Sequence, residues 1–91
     1  MEGAIAMEKI KMLLGTLPED DLRKVNEWIN NNPDEVPKDA YKLLDKLIFN
    51  ILWDYKMRAE SAPTEEARTL EKKKAELYSK WKELGLVENS D

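Results

Sequence analysis

The stretch AYKLLDKLIFNILWDYKMRA at residues 40–59 constrains this chain most, because wound as a helix it is apolar on two opposite sides. Ala40, Leu44, Leu47, Ile48, Ile51 and Tyr55 fall on one broad face, widened by Leu43 and Leu52. Phe49, Trp53 and Met57 follow one another at i, i+4 and i+8, about 180° from that face. Lys42, Asp45, Lys46, Lys56 and Glu60 surround this second stripe. A helix apolar on both sides must be covered twice or adhere to something. Two readings follow. In one, the helix is the middle layer of the domain's own core, the usual fate of apolar residues at helical spacing. In the other, Phe49, Trp53 and Met57 anchor a partner protein or a second copy of the chain (a homodimer), with Lys42 and Lys46 at the rim. Trp, Phe and Met are enriched at such interfaces.

Around this element the chain reads as helices throughout. Pro37 suits a first turn and Asp39 complements the positive end of the dipole, so helix 3 is expected over residues 37–60. That is about 36 Å at ~1.5 Å per residue. Helix 1 is expected over residues 4–14, with Ala6, Ile10, Leu13, Leu14 and Leu17 on one face and Gly15 as its C-terminal stop. Ile5 and Met12 lie off that face. Thr16-Leu17-Pro18-Glu19 reads as a capping box, with Thr16 as N-cap and Glu19 reaching back. Helix 2 then covers residues 17–30, with Leu22, Val25 and Ile29 as its buried stripe and Trp28 at the edge. Glu19–Arg23 and Asp20–Lys24 are i, i+4 pairs on its wet side. The run Asn30-Asn31-Asn32-Pro33-Asp34 is a stop and a loop.

Thr64 is the expected N-cap of helix 4, with Glu65 and Glu66 in its first turn. This helix is expected over residues 65–84, on a face of Ala67, Leu70, Leu77, Tyr78, Trp81 and Leu84. Gly85 fits the C′ position of a Schellman stop, with Leu86 packing back and residues 87–91 a frayed tail. The expectation is an all-α, single four-helix domain over residues 1–91. Its long antiparallel hairpin of helices 3 and 4 packs with two short N-terminal helices. Ninety-one residues with 37% charged side chains and only three Gly agree with one helical domain carrying a modest core.

Composition narrows the chemistry. Cys and His are both absent, which removes disulfides, thiol chemistry, the commonest general base and the commonest metal ligand. The adjacent acids Asp20-Asp21, Asp34-Glu35 and Glu65-Glu66 read as helix starts and loop, and Tyr41, Tyr55 and Tyr78 as amphipathic core residues. No P-loop, Gly-rich nucleotide turn or Ca²⁺ loop is present. No catalytic residue, metal site, cofactor or small-molecule substrate is therefore expected, and the protein is read as a non-enzyme. The start MEGAIAMEK lacks a basic region ahead of its short apolar stretch, so no signal peptide is expected. The uncharged run near the middle, residues 47–53, is far short of the ~20 residues of a membrane span. A cytoplasmic protein is expected.

Nucleic-acid binding is the alternative reading. Helix 4 carries Arg68, Lys72, Lys73, Lys74, Lys80 and Lys82, of which Arg68, Lys72, Lys73, Lys80 and Lys82 are candidate phosphate contacts. Residues 56–82 hold eight basic and five acidic side chains, within a chain of net charge −4. The placement argues for a solvated face instead. Glu66, Glu71, Glu76 and Glu83 are interleaved, Lys72 and Lys73 point to different sides, and Glu76–Lys80 is an ordinary helical pair. Lys74 falls inside the apolar stripe, where its stem packs and its ammonium snorkels or meets Asp45 or Asp54. The leading expectation is a protein-binding module (regulator, adaptor or assembly subunit) that uses the stripe on helix 3.

Overall fold

The computed structural model describes residues 2–87, with side chains from residue 4 onward. Most of the tail expected to fray, residues 88–91, lies outside the described residues. The architecture is all-α, with no strand among the described residues. In order it comprises α1 (Glu2–Thr16), α2 (Glu19–Asn31), a 3-10 turn (Pro33–Glu35), α3 (Ala40–Ser61) and α4 (Thr64–Glu83). The chain divides into two compact units, Met1–Phe49 and Asn50–Asp91, with the boundary inside the continuous helix α3.

In the first unit the buried apolar residues are Ala6, Ile10, Leu13 and Leu17 from α1 and its exit, Val25 from α2, and Leu44 and Leu47 from α3. The face expected for α1 is thus the face it buries, with Leu14 half-buried at its edge. α2 departs from expectation. Its buried row is Asp21 and Val25, with Leu17 one step ahead at the same i, i+4 spacing, whereas Leu22, Trp28 and Ile29 are only half-buried. An acid hid this row from the periodicity. Asp21 sits in the first turn of α2, where the helix dipole favours a carboxylate.

The capping box at Thr16 does not form. Thr16 as N-cap would make Leu17 the first helical residue, yet a residue before proline is disfavoured in the α conformation. α1 instead runs on to Thr16, whose Oγ1 donates to the Leu13 carbonyl at 2.6 Å. Pro18 becomes the N-cap of α2 at φ −59°, ψ 156°, without a side-chain cap, and its carbonyl accepts from Leu22 N–H at 3.0 Å. Gly15 is therefore inside α1 and is not its stop. The same substitution of roles occurs at the start of α4. Pro63, not Thr64, is the N-cap at φ −58°, ψ 157° and accepts from Ala67 N–H at 2.8 Å. The first-turn acids, Glu19, Asp20 and Asp21 in α2 and Glu65 and Glu66 in α4, oppose the dipole where a side-chain cap is missing.

α3 starts three residues later than expected, at Ala40. Asp39 is its cap: Oδ1 accepts from Tyr41 N–H at 2.9 Å and Lys42 N–H at 3.1 Å, two of the amides a helix start leaves without partners. At the other end of α2, Asn32 closes the helix twice, with its backbone N–H and its Nδ2 each donating to the Trp28 carbonyl at 3.0 Å.

In the second unit, the latter half of α3 and α4 form an antiparallel hairpin joined by Ala62 and Pro63. Ile51, Tyr55, Leu77, Trp81 and Leu86 are its buried apolar residues. Ala67, Leu70, Tyr78 and Leu84, also expected on the α4 face, are half-buried. Gly85 takes φ +73°, and the Schellman pattern is complete: Leu86 N–H donates to Trp81 O at 2.8 Å and Gly85 N–H to Lys82 O at 3.1 Å. Leu86 is buried by this turn.

Two predictions follow from these ends. Gly85→Ala forces a Cβ into the left-handed region and lowers stability by about 1–2 kcal/mol. Gly15→Ala, at a helical position with nothing within 4 Å of the added carbon, raises it by about 0.5–1 kcal/mol. Urea titration followed by circular dichroism reads both signs. In the same assay, Asp39→Ala costs about 1 kcal/mol, as expected for a lost cap.

Candidate functional site

α3 has one apolar face buried and another exposed. On its inner side Leu44, Leu47, Ile51 and Tyr55 are each 5% exposed or less. Phe49 is 61%, Trp53 49% and Met57 42% exposed on the opposite side. The choice between an inner layer and an open surface thus falls to the open surface within this chain. Lys42 and Lys46, the expected rim residues, are exposed, as are Asp45, Lys56 and Glu60. The Lys56 Nζ lies 5.3 Å from the centroid of the Trp53 ring, a cation–π distance that places positive charge at the stripe's edge.

Beside the stripe, Arg58 lies close to two neighbours on α3. Arg58 Nε is 2.9 Å from Asp54 Oδ2 across one helical turn, and the guanidinium carbon stands 4.7 Å from the Tyr55 ring centroid. Arg58 thus has a carboxylate and an aromatic ring as close neighbours. Met57, the last stripe residue, also lines a shallow depression at the bend of the hairpin, together with Arg58, Ser61, Ala62, Pro63, Glu66 and Leu70. The depression is open and mixed in polarity, so it extends the apolar stripe but does not enclose a ligand.

The basic residues of α4 are arranged differently. Arg68, Lys72, Lys73 and Lys80 are exposed, while Lys74 and Lys82 are half-buried. Lys82 Nζ sits 4.9 Å from the Tyr78 ring centroid, so its charge is partly engaged by its own helix. Glu65, Glu66, Glu71, Glu76 and Glu83 are all exposed among them, giving a mixed surface. On α2, Arg23 approaches Asp20, three residues back, with Nη1–Oδ1 at 3.8 Å; the expected partner was Glu19.

α1 contributes separate exposed apolar residues, Ile5, Met7 and Met12, of which the sequence pattern singled out Ile5 and Met12. Among the described residues no group of three His, Cys, Asp or Glu side chains could hold a metal ion. No described helix is long and apolar enough to cross a membrane. Comparison with known proteins finds no match to this chain in family models, curated proteins or solved structures.

The two exposed and buried tryptophans give a direct check on this assignment. Trp81 is fully buried and Trp53 is half-exposed. Trp81→Ala costs about 3–5 kcal/mol of folding stability, whereas Trp53→Ala costs about 1 kcal/mol or less. Chemical denaturation of the two variants against the wild type measures the difference.

Proposed function

We propose that the protein is a non-enzymatic protein-binding module, acting as a regulator, adaptor or assembly subunit, with Phe49, Trp53 and Met57 as its anchors. The observation that supports this reading is the contrast across α3. Three large apolar side chains, 42–61% exposed, form one row on a helix whose opposite face is already buried. An exposed row of Trp, Phe and Met is costly in water, and these residue types are enriched where proteins meet. Lys42 and Lys46 form a charged rim, which sets orientation and excludes wrong partners more than it adds affinity.

Trp53→Ala tests the reading because the residue is exposed and its loss leaves the fold intact. Proteins retained by immobilised wild type but not by the variant are purified and titrated against both, the chain itself included. The expected result is a Kd raised by about 30-fold or more, corresponding to ~2 kcal/mol at an anchor residue. Equal retention and equal affinity for the two proteins would remove the stripe from the function.

A further inference from the structure

We infer that the occupant of the α3 stripe is a second copy of this chain, docked antiparallel about a twofold axis that passes at the level of Trp53. The inference rests on the protein-binding reading above and specifies its partner.

The arrangement of residues about Trp53 carries it. Phe49 and Met57 lie four residues to either side, and Lys46 and Glu60 lie seven residues to either side. All five are exposed positions of one continuous helix. At ~1.5 Å per residue, the charged pair stands about 10.5 Å above and below the central ring. At ~100° per residue, both members lie about 20° from the direction in which Trp53 points. An antiparallel twofold contact sets each residue level with its mirror position in the other copy. Trp53 then meets Trp53, Phe49 comes level with Met57, and Lys46 with Glu60, each of the last two pairings occurring twice.

Other registers lose this match. Moving the axis to the level of Ile51 brings Lys42 level with Glu60 and Phe49 level with Trp53, but sets Lys46 level with Lys56, so each opposite-charge pair is offset by a like-charged one. Moving it to Tyr55 leaves Glu60 level with Asn50 and takes Lys46 beyond the end of α3 in the other copy. A parallel pair sets Lys42, Lys46 and Lys56 each against itself, and like charges at the same level oppose association. In the second copy Glu60 supplies a carboxylate for Lys46, while Lys56 comes level with the uncharged Asn50.

The area sets the strength. Given the exposures of Phe49, Trp53 and Met57, the stripe offers on the order of 300 Å² of apolar surface. A standard interface uses about 800 Å² per partner. The dimer is therefore reversible, with a Kd in roughly the micromolar range or weaker.

Sedimentation equilibrium from about 1 µM to about 1 mM tests the proposal on the full chain. The wild type is expected to form a reversible dimer that Trp53→Ala abolishes. K46E and E60K, both at exposed positions, are each expected to weaken it by about tenfold or more, since each sets two like-charged pairs face to face. The double variant K46E/E60K is expected to return to within about threefold of wild type, because the charges are exchanged and not removed. Circular dichroism confirms unchanged helicity in each. A wild type monomeric at every concentration overturns self-association while leaving Trp53-dependent binding of a foreign protein to stand or fall on its own titration. A dimer indifferent to Trp53→Ala and to both charge reversals places the contact elsewhere and overturns the proposal. Single variants that weaken the dimer without rescue in the double overturn the antiparallel register.

Discussion

Burial of the row Leu44, Leu47, Ile51 and Tyr55 is the interaction on which the rest of the structure depends. Removing each such side chain from water contributes about 1.5–3 kcal/mol, so this one face supplies a large gross share of the driving force in a small protein. It runs through both compact units, with Leu44 and Leu47 in one and Ile51 and Tyr55 in the other. It also fixes how α3 is rotated about its own axis. Phe49, Trp53 and Met57 stand on the opposite side of the helix from that face and so point the other way. The outward direction of the stripe is a geometric consequence of the buried row.

Much of the helical plan was legible in the pattern of apolar residues. Ala6, Ile10 and Leu13, spaced at four and three, defined the inner face of α1, and Leu77 and Trp81 did the same for α4. Gly85 was legible as well, since a helix that ends in Leu-Gly-Leu offers a left-handed position and an apolar residue to pack after it. The helix starts were harder to read because two rules competed at the same residues. Thr16 and Thr64 are good caps by residue type, but Pro18 and Pro63 fix the backbone beside them. The covalent restriction of the proline ring, together with its effect on the residue before it, outweighed a single side-chain hydrogen bond. The row on α2 was missed for another reason. Asp21 is counted as polar by any hydropathy pattern, yet it is buried between the levels of Leu17 and Val25.

For the candidate site, the positions were legible and their exposure was not. Phe49, Trp53 and Met57 stand at the same i, i+4 spacing whether a neighbouring helix covers them or water does, so periodicity alone is silent on the matter. The decision lies in how many helices the chain can bring to α3, a tertiary property. The charges of α4 are interleaved in sign along the helix. Glu71 stands beside Lys72, and Glu76 one turn before Lys80, so positive and negative side chains are mixed on the exposed surface of this helix. On the α3 stripe, Lys56 Nζ lies over the indole of Trp53.

The three tryptophans occupy three different surroundings: Trp81 fully enclosed, Trp28 half-buried beside the end of α2, and Trp53 open to water under an ammonium group. Indole emission depends on the polarity around the ring, so the molecule carries a built-in spectroscopic ruler with a graded scale. A soluble quencher reaches the Trp53 ring most readily and the Trp81 ring only after the hairpin opens. Light emitted by the unlabelled protein therefore distinguishes occupation of the outer face of α3 from loss of the fold, two events that a single global measure of helicity would blur together.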